Sequence, residues 1–132
     1  MALQLLLVED KPATRAALLT VLQQSEFRVT CANDGLDGLN HAKQITFDVI
    51  IVDHKMPLMD GVTLCRNLRD LSAYKQTPIV LLTTQEISQV EPLARKAGAD
   101  LCLSKPVDGE RLLRLLSDLS ATQTLYPVSD LR

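Results

Sequence analysis

Apolar residues follow one another without interruption in three stretches of the chain: Leu5 to Val8, Val49 to Val52, and Ile79 to Leu82. Continuous runs rich in β-branched and aliphatic residues mark strands covered on both faces, as in a parallel sheet. The first run belongs to a strand over Leu3 to Val8, and the third carries Pro78 at its first position, where a missing ladder donor is tolerated. Phe27 to Ala32 alternates instead and reads as a strand nearer an edge, and Asp100 to Ser104 forms a short fifth strand.

Between these strands the period changes to that of helices. Lys11-Pro12-Ala13 opens a helix with Leu18, Leu19 and Leu22 on one stripe, with Asp10 available as its cap. Asn33-Asp34-Gly35 turns into a short helix through about Lys43, and Asp60-Gly61 starts one bearing Val62, Cys65, Leu68 and Leu71. Ile87, Val90, Leu93, Ala94 and Ala97 define a fourth helix closed by Gly98. Within it Ser88-x-x-Glu91 resembles a capping box, which predicts a late start with Ser88 at the N-cap and Pro92 just past the first turn. A last helix spans about Asp108 to Leu119 with Leu112, Leu115, Leu116 and Leu119 on one side, and residues 121–132 show no periodicity. Five strands alternating with five helices predict an α/β domain, a doubly wound five-stranded parallel sheet of flavodoxin-like order 2-1-3-4-5 with helices on both faces. The expected organisation is one domain over residues 1–119, a tail over 120–132 and no effector domain.

At 132 residues the chain can bury one core but not two. A net charge of −2 supplies no basic field, which argues against direct nucleic-acid binding. No apolar run approaches the length of a membrane span, so neither a membrane nor a secretory route is expected and the predicted location is cytoplasmic. Cys31, Cys65 and Cys102 are far apart and odd in number, a pattern for buried thiols rather than a zinc site or a disulfide framework.

Composition excludes more than it identifies; the strand ends identify more. In a parallel sheet the residues following strands one, three, four and five converge at one edge, and here they are Glu9 and Asp10, Asp53, Thr83 and Lys105. Taken singly, each is an ordinary turn or cap residue. Together, the three carboxylates repel by about 4 kcal/mol per pair at 4 Å and an effective dielectric near 20, so a cation is required. Oxygen donors without histidine or thiolate favour a hard ion, best a partly hydrated Mg²⁺. A carboxylate nucleophile, a divalent ion, a lysine and a hydroxyl are the parts needed to move a phosphoryl group onto Asp53.

On these residues the chain resembles the receiver domains of two-component response regulators, in a chemotaxis-regulator-like and bacterial form, from about Leu3 to Leu119. The resemblance implies Asp53 as phosphoacceptor, with Glu9, Asp10, Asp53 and the backbone carbonyl of Lys55 around Mg²⁺. It makes Thr83 the hydroxyl that moves to the phosphoryl group and Lys105 the lysine that pairs with it, and it matches Lys105-Pro106 to a cis peptide bond. The implied function is a phosphorylation-dependent signalling switch, charged by a histidine kinase or phosphotransfer protein in a Mg²⁺-dependent reaction. Such a domain assists its own phosphorylation and dephosphorylation but is not a turnover enzyme. Its implied partners are the kinase, a downstream protein or effector domain, and a second copy in a weak homodimer.

The departures are specific. Cys102 stands where similar domains carry a switching aromatic ring, so signalling is expected to rest on Thr83 and its loop. Leu101 and Leu115 replace the acid and arginine of dimers formed by winged-helix transcription regulators, suggesting a more apolar partner surface. His54 adjoins Asp53 but is expected to point away from it, His41 lies among polar neighbours, and Lys55 is read as a solvated loop lysine. The chain could equally be a receiver module of a hybrid kinase or multidomain regulator. An aspartate-nucleophile phosphohydrolase would need an acid at Lys55, a nucleotide- or flavin-binding module would need a glycine-rich loop after strand one, and a degenerate scaffold would have lost site residues that are all present.

Overall fold

A computed structural model describes residues 3–129, with side chains through Leu119. The apolar runs form β1 (Gln4–Val8), β3 (Val49–Asp53) and β4 (Ile79–Thr83); every residue of β3 and β4 is buried. The alternating and short stretches form β2 (Arg28–Ala32) and β5 (Leu101–Ser104), which retain exposed positions because each lies at an edge. All pairings are parallel and the order is β2-β1-β3-β4-β5, as the element pattern requires.

The strand period of two divides the core between the faces of this sheet. Leu6, Val8, Ile50, Val52, Ile79 and Leu81 point toward α2 (Gly35–Gln44), α3 (Gly61–Asp70) and α4 (Ile87–Ala97), where Leu64, Leu68, Val90 and Ala94 meet them. Leu5, Leu7, Val49, Ile51, Val80 and Leu82 point the other way, against Leu18 and Leu22 of α1 (Pro12–Leu22) and Leu112 and Leu116 of α5 (Gly109–Ser129). Two dry layers with the sheet between them hold the strand ends at a fixed level, since Val8 pairs with Val52, Val52 with Leu81, and Asp53 with Leu82.

Four local expectations are corrected. Lys11, not Asp10, is the N-cap of α1, which frees the Asp10 carboxylate for other contacts. Ser88 does not cap α4: the helix starts at Ile87, with the Gln89 and Val90 N–H groups donating to the Glu86 carbonyl at 3.0 and 3.1 Å. Starting there sets Ile87 against the core in line with buried Val90 and Ala94, and this packing outweighs a side-chain cap. α5 continues past Leu119 to Ser129, with neither glycine nor proline between Gly109 and Pro127 to end it at Leu119; of the expected tail, 130–132 lie outside the described residues. Cys31, on the edge strand β2, is half-buried rather than buried. Asp34 and Asp60 do cap α2 and α3, accepting from the N–H groups of Asp37 and Thr63 at 2.8 and 2.9 Å.

Candidate functional site

Asp53 ends β3 and Glu9 follows β1 directly, and both are buried. One carboxylate oxygen from each of Glu9, Asp10 and Asp53 lies within 4.8 Å of the others. The loop after β5 delivers Lys105, whose backbone N–H donates to the Thr83 carbonyl at 2.8 Å and whose peptide bond to Pro106 is cis. Its ammonium donates to Glu9 Oε1 and to Asp53 Oδ1, each at 2.8 Å. Burial opposes that charge, but the hydrogen bonds to Asp53 and Glu9 outweigh it and leave the lysine pKa raised.

One ammonium among three carboxylates leaves the ionised group short of positive charge by two. Asp10 Oδ1 and Asp53 Oδ2 are buried without a hydrogen-bond partner among the described residues. Buried carboxylate oxygens left bare are costly unless a cation or donor reaches them. Two bare oxygens within an all-carboxylate group are the donor set that a hard divalent ion takes, so the residues present fit Mg²⁺.

Thr83 reaches the same edge by another route. Glu9, Asp53 and Lys105 continue the side-chain rows of Leu7, Ile51 and Leu103, whereas Thr83 and His54 continue those of Leu81 and Val52 on the other face. The Thr83 hydroxyl accordingly pairs with His54 Nδ1 at 2.9 Å and accepts from the Gln85 N–H at 3.0 Å. His54 is 5% exposed, and its pKa is lowered by burial first and by the neighbouring Lys55 charge second. The ring does avoid the acceptor, as alternation requires, but it turns inward onto Thr83, a contact that the sequence reading missed. The register carries the signal: with Asp53 opposite Leu82, His54 comes level with Thr83.

The structure therefore gathers Glu9, Asp10, Asp53 and Lys105 into one contact group and sets Thr83 beside it. Lys55 sits in the loop after β3 with its side chain exposed, outside that group. Gly61 lets this loop close tightly: its N–H donates to the His54 carbonyl at 2.7 Å, and a Cβ there would overlap the Asp53 carbonyl. Cys102 lies on β5 and lines a surface cavity with Ile87, Glu91, Pro106 and Arg111; burial pushes its thiol pKa up.

Comparison with known proteins agrees with this geometry. Residues 5–117 match the family model described as the response regulator receiver domain. The chain is 37% identical over 108 residues to the transcriptional regulatory protein CseB of Streptomyces coelicolor, covering 82% of this chain and 45% of that protein. More widely, it spans from 58% down to 12% of the length of the full regulators and kinases it matches. Chemotaxis protein CheY4 of Vibrio cholerae superposes with a TM-score of 0.85 at 34% identity, covering 90% of this chain and 99% of that one. The receiver domain of sensor histidine kinase PA1611 from Pseudomonas aeruginosa, solved with a magnesium ion in its active-site cleft, gives a TM-score of 0.83 at 28% identity and covers 90% and 98% of the two chains.

Proposed function

Because the chain belongs to the response regulator receiver domain family, we propose that its Asp53 accepts a phosphoryl group and that Glu9, Asp10, Thr83 and Lys105 serve that transfer. The observation that carries this reading is the divided state of the Asp53 carboxylate. Lys105 holds Oδ1 at 2.8 Å, which fixes the group's orientation, while buried Oδ2 has no partner among the described residues. Of the two Asp53 oxygens, one would attack phosphorus while the other would face Mg²⁺. A P–O bond to Asp53 forms as the P–N bond of a donor phosphohistidine breaks, and the leaving imidazole takes up a proton. Lys105 is already in place to pair with the added charge, and Glu9 holds the other side of its ammonium.

Glu9, Asp10 and Asp53, joined by the backbone carbonyl of Lys55, would hold Mg²⁺. When bound, the ion neutralises the carboxylates and the equatorial phosphoryl oxygens, the main catalytic need of phosphoryl transfer. The phosphoryl donor is a histidine kinase or phosphotransfer domain, and the product is read by a downstream protein or effector domain, with the chain acting in the cytoplasm. No helix among the described residues is long and apolar enough to cross a membrane. The domain is a switch that promotes its own phosphorylation and dephosphorylation rather than a turnover enzyme.

Incubation with acetyl phosphate and Mg²⁺, followed by intact-mass spectrometry, tests the assignment. One phosphoryl group should appear on the wild type and none on Asp53→Asn. Equal labelling of the variant, or an unlabelled wild type, overturns it.

A further inference from the structure

The Thr83 hydroxyl has two hydrogen-bond partners, the Gln85 N–H and the His54 ring, and the Asp53 carboxylate is not one of them. A hydroxyl carries one proton and two lone pairs, so two partners at 2.9 and 3.0 Å fix its direction. Thr83 and His54 are 1% and 5% exposed, which leaves little water to replace the ring as a partner. The ring itself is held by its backbone: the His54 N–H donates to the Leu82 carbonyl at 2.8 Å and the His54 carbonyl accepts from Gly61 at 2.7 Å. The end of β3 that presents Asp53 to Glu9 and Asp10 thus also presents His54 to Thr83, on opposite sides of the sheet.

We propose that His54 is a positioning residue of the switch, whose imidazole holds the Thr83 hydroxyl in its resting direction and must release it before the hydroxyl can engage a phosphoryl group on Asp53. This rests on the reading of Asp53 as acceptor and Thr83 as the hydroxyl that responds to it. The His54 contact is made only in the resting arrangement, so it weights the equilibrium toward that arrangement. Removing it should favour the phosphoryl-facing hydroxyl by roughly three- to tenfold, the ratio corresponding to one net hydrogen bond.

Three measurements test the proposal. In the unphosphorylated protein, scalar couplings of the Thr83 methyl group should report one χ1 rotamer in the wild type and a mixture in His54→Phe, which keeps a ring but no nitrogen. Phosphorylation by acetyl phosphate should be roughly three- to tenfold faster in His54→Phe, as expected for one hydrogen bond. The rate should return toward wild type in His54→Asn, whose amide reaches the position of Nδ1. In a Thr83→Val background, His54→Phe should change nothing, because the partner is gone. An unchanged rotamer and rate in His54→Phe overturn the proposal, as does an equal effect in the Thr83→Val background, which would make His54 merely structural. A wild type that takes no label overturns the acceptor reading instead, and the rotamers alone then decide whether His54 positions Thr83.

Discussion

Cys65 lies on α3 with no exposed surface, and burial pushes its thiol pKa up to about 12. The unfolded chain loses that proton near the ordinary value of 9.0, so above this pH the fold binds the proton and the unfolded state does not. Stability then falls as pH rises, by up to about 1.4 kcal/mol per unit for one group, until the folded thiol itself ionises. Cys31, Cys102, Tyr74 and Lys105 also have raised pKa values and act in the same direction. Urea titrations between pH 9 and 11 should show a shallower loss for Cys65→Ala than for the wild type, even though the cavity lowers the variant's stability at every pH. Parallel curves would refute the assignment. The convergence of the acids and Lys105 was legible because strand ends in a parallel sheet meet at one edge whatever the loops do. The His54–Thr83 contact was not: it joins positions 29 apart through a register that no local pattern encodes.

Helix α4 shows a local signal losing to packing. Ser88 and Glu91 have the spacing of a capping box, yet the helix begins one residue before Ser88 because Ile87 and Val90 pack against the core. Pro92 thereby becomes the sixth helical residue, and it has no N–H to donate to the Ser88 carbonyl one turn earlier. Leu93, placed by periodicity on the apolar face, is 56% exposed, because the buried stripe runs through Val90, Ala94 and Ala97 instead. Pro92→Ala restores the missing helical bond at an exposed position and should stabilise the protein by about 2 kcal/mol, less than the full interior-proline penalty because the unfolded chain also gains freedom. By hydrogen exchange, amides 84–91 should open more readily than 93–97 in the wild type, and the difference should narrow in the variant. Equal protection of the two stretches in both proteins would remove the proline from the account. The opposite end of α4 was legible: Gly98 adopts φ 111° and closes the helix as expected. Its anchor was not. Arg69 of α3 reaches the carbonyls of Tyr74, Thr77 and Gly98 and the Asp100 carboxylate, a network made of residues with no common sequence pattern.

At the scale of the molecule, the strand order followed from the alternation of buried runs and amphipathic helices, since right-handed crossovers leave few arrangements. That order places Glu9, Asp10 and Asp53 at the ends of β1 and β3, two of the three interior strands of the sheet, rather than on a peripheral loop. Repulsion among them therefore strains elements that unfold only with the whole domain, and an ion bound there should stabilise global unfolding rather than a local opening. For an ion that binds only the folded chain the gain is about 2.7 kcal/mol at a hundredfold excess over Kd. Thermal melts of the unphosphorylated wild type should rise steadily with Mg²⁺ concentration, with backbone and side-chain probes moving together. Asp10→Asn makes the sign explicit, because it removes one charge from the carboxylate group as well as one candidate ligand. Without the ion the variant should melt at or above the wild type, since one repulsive partner is gone. With the ion the wild type should overtake it, since only the wild type keeps all three carboxylates. If both proteins melt alike at every Mg²⁺ concentration, the three carboxylates do not act as one metal site.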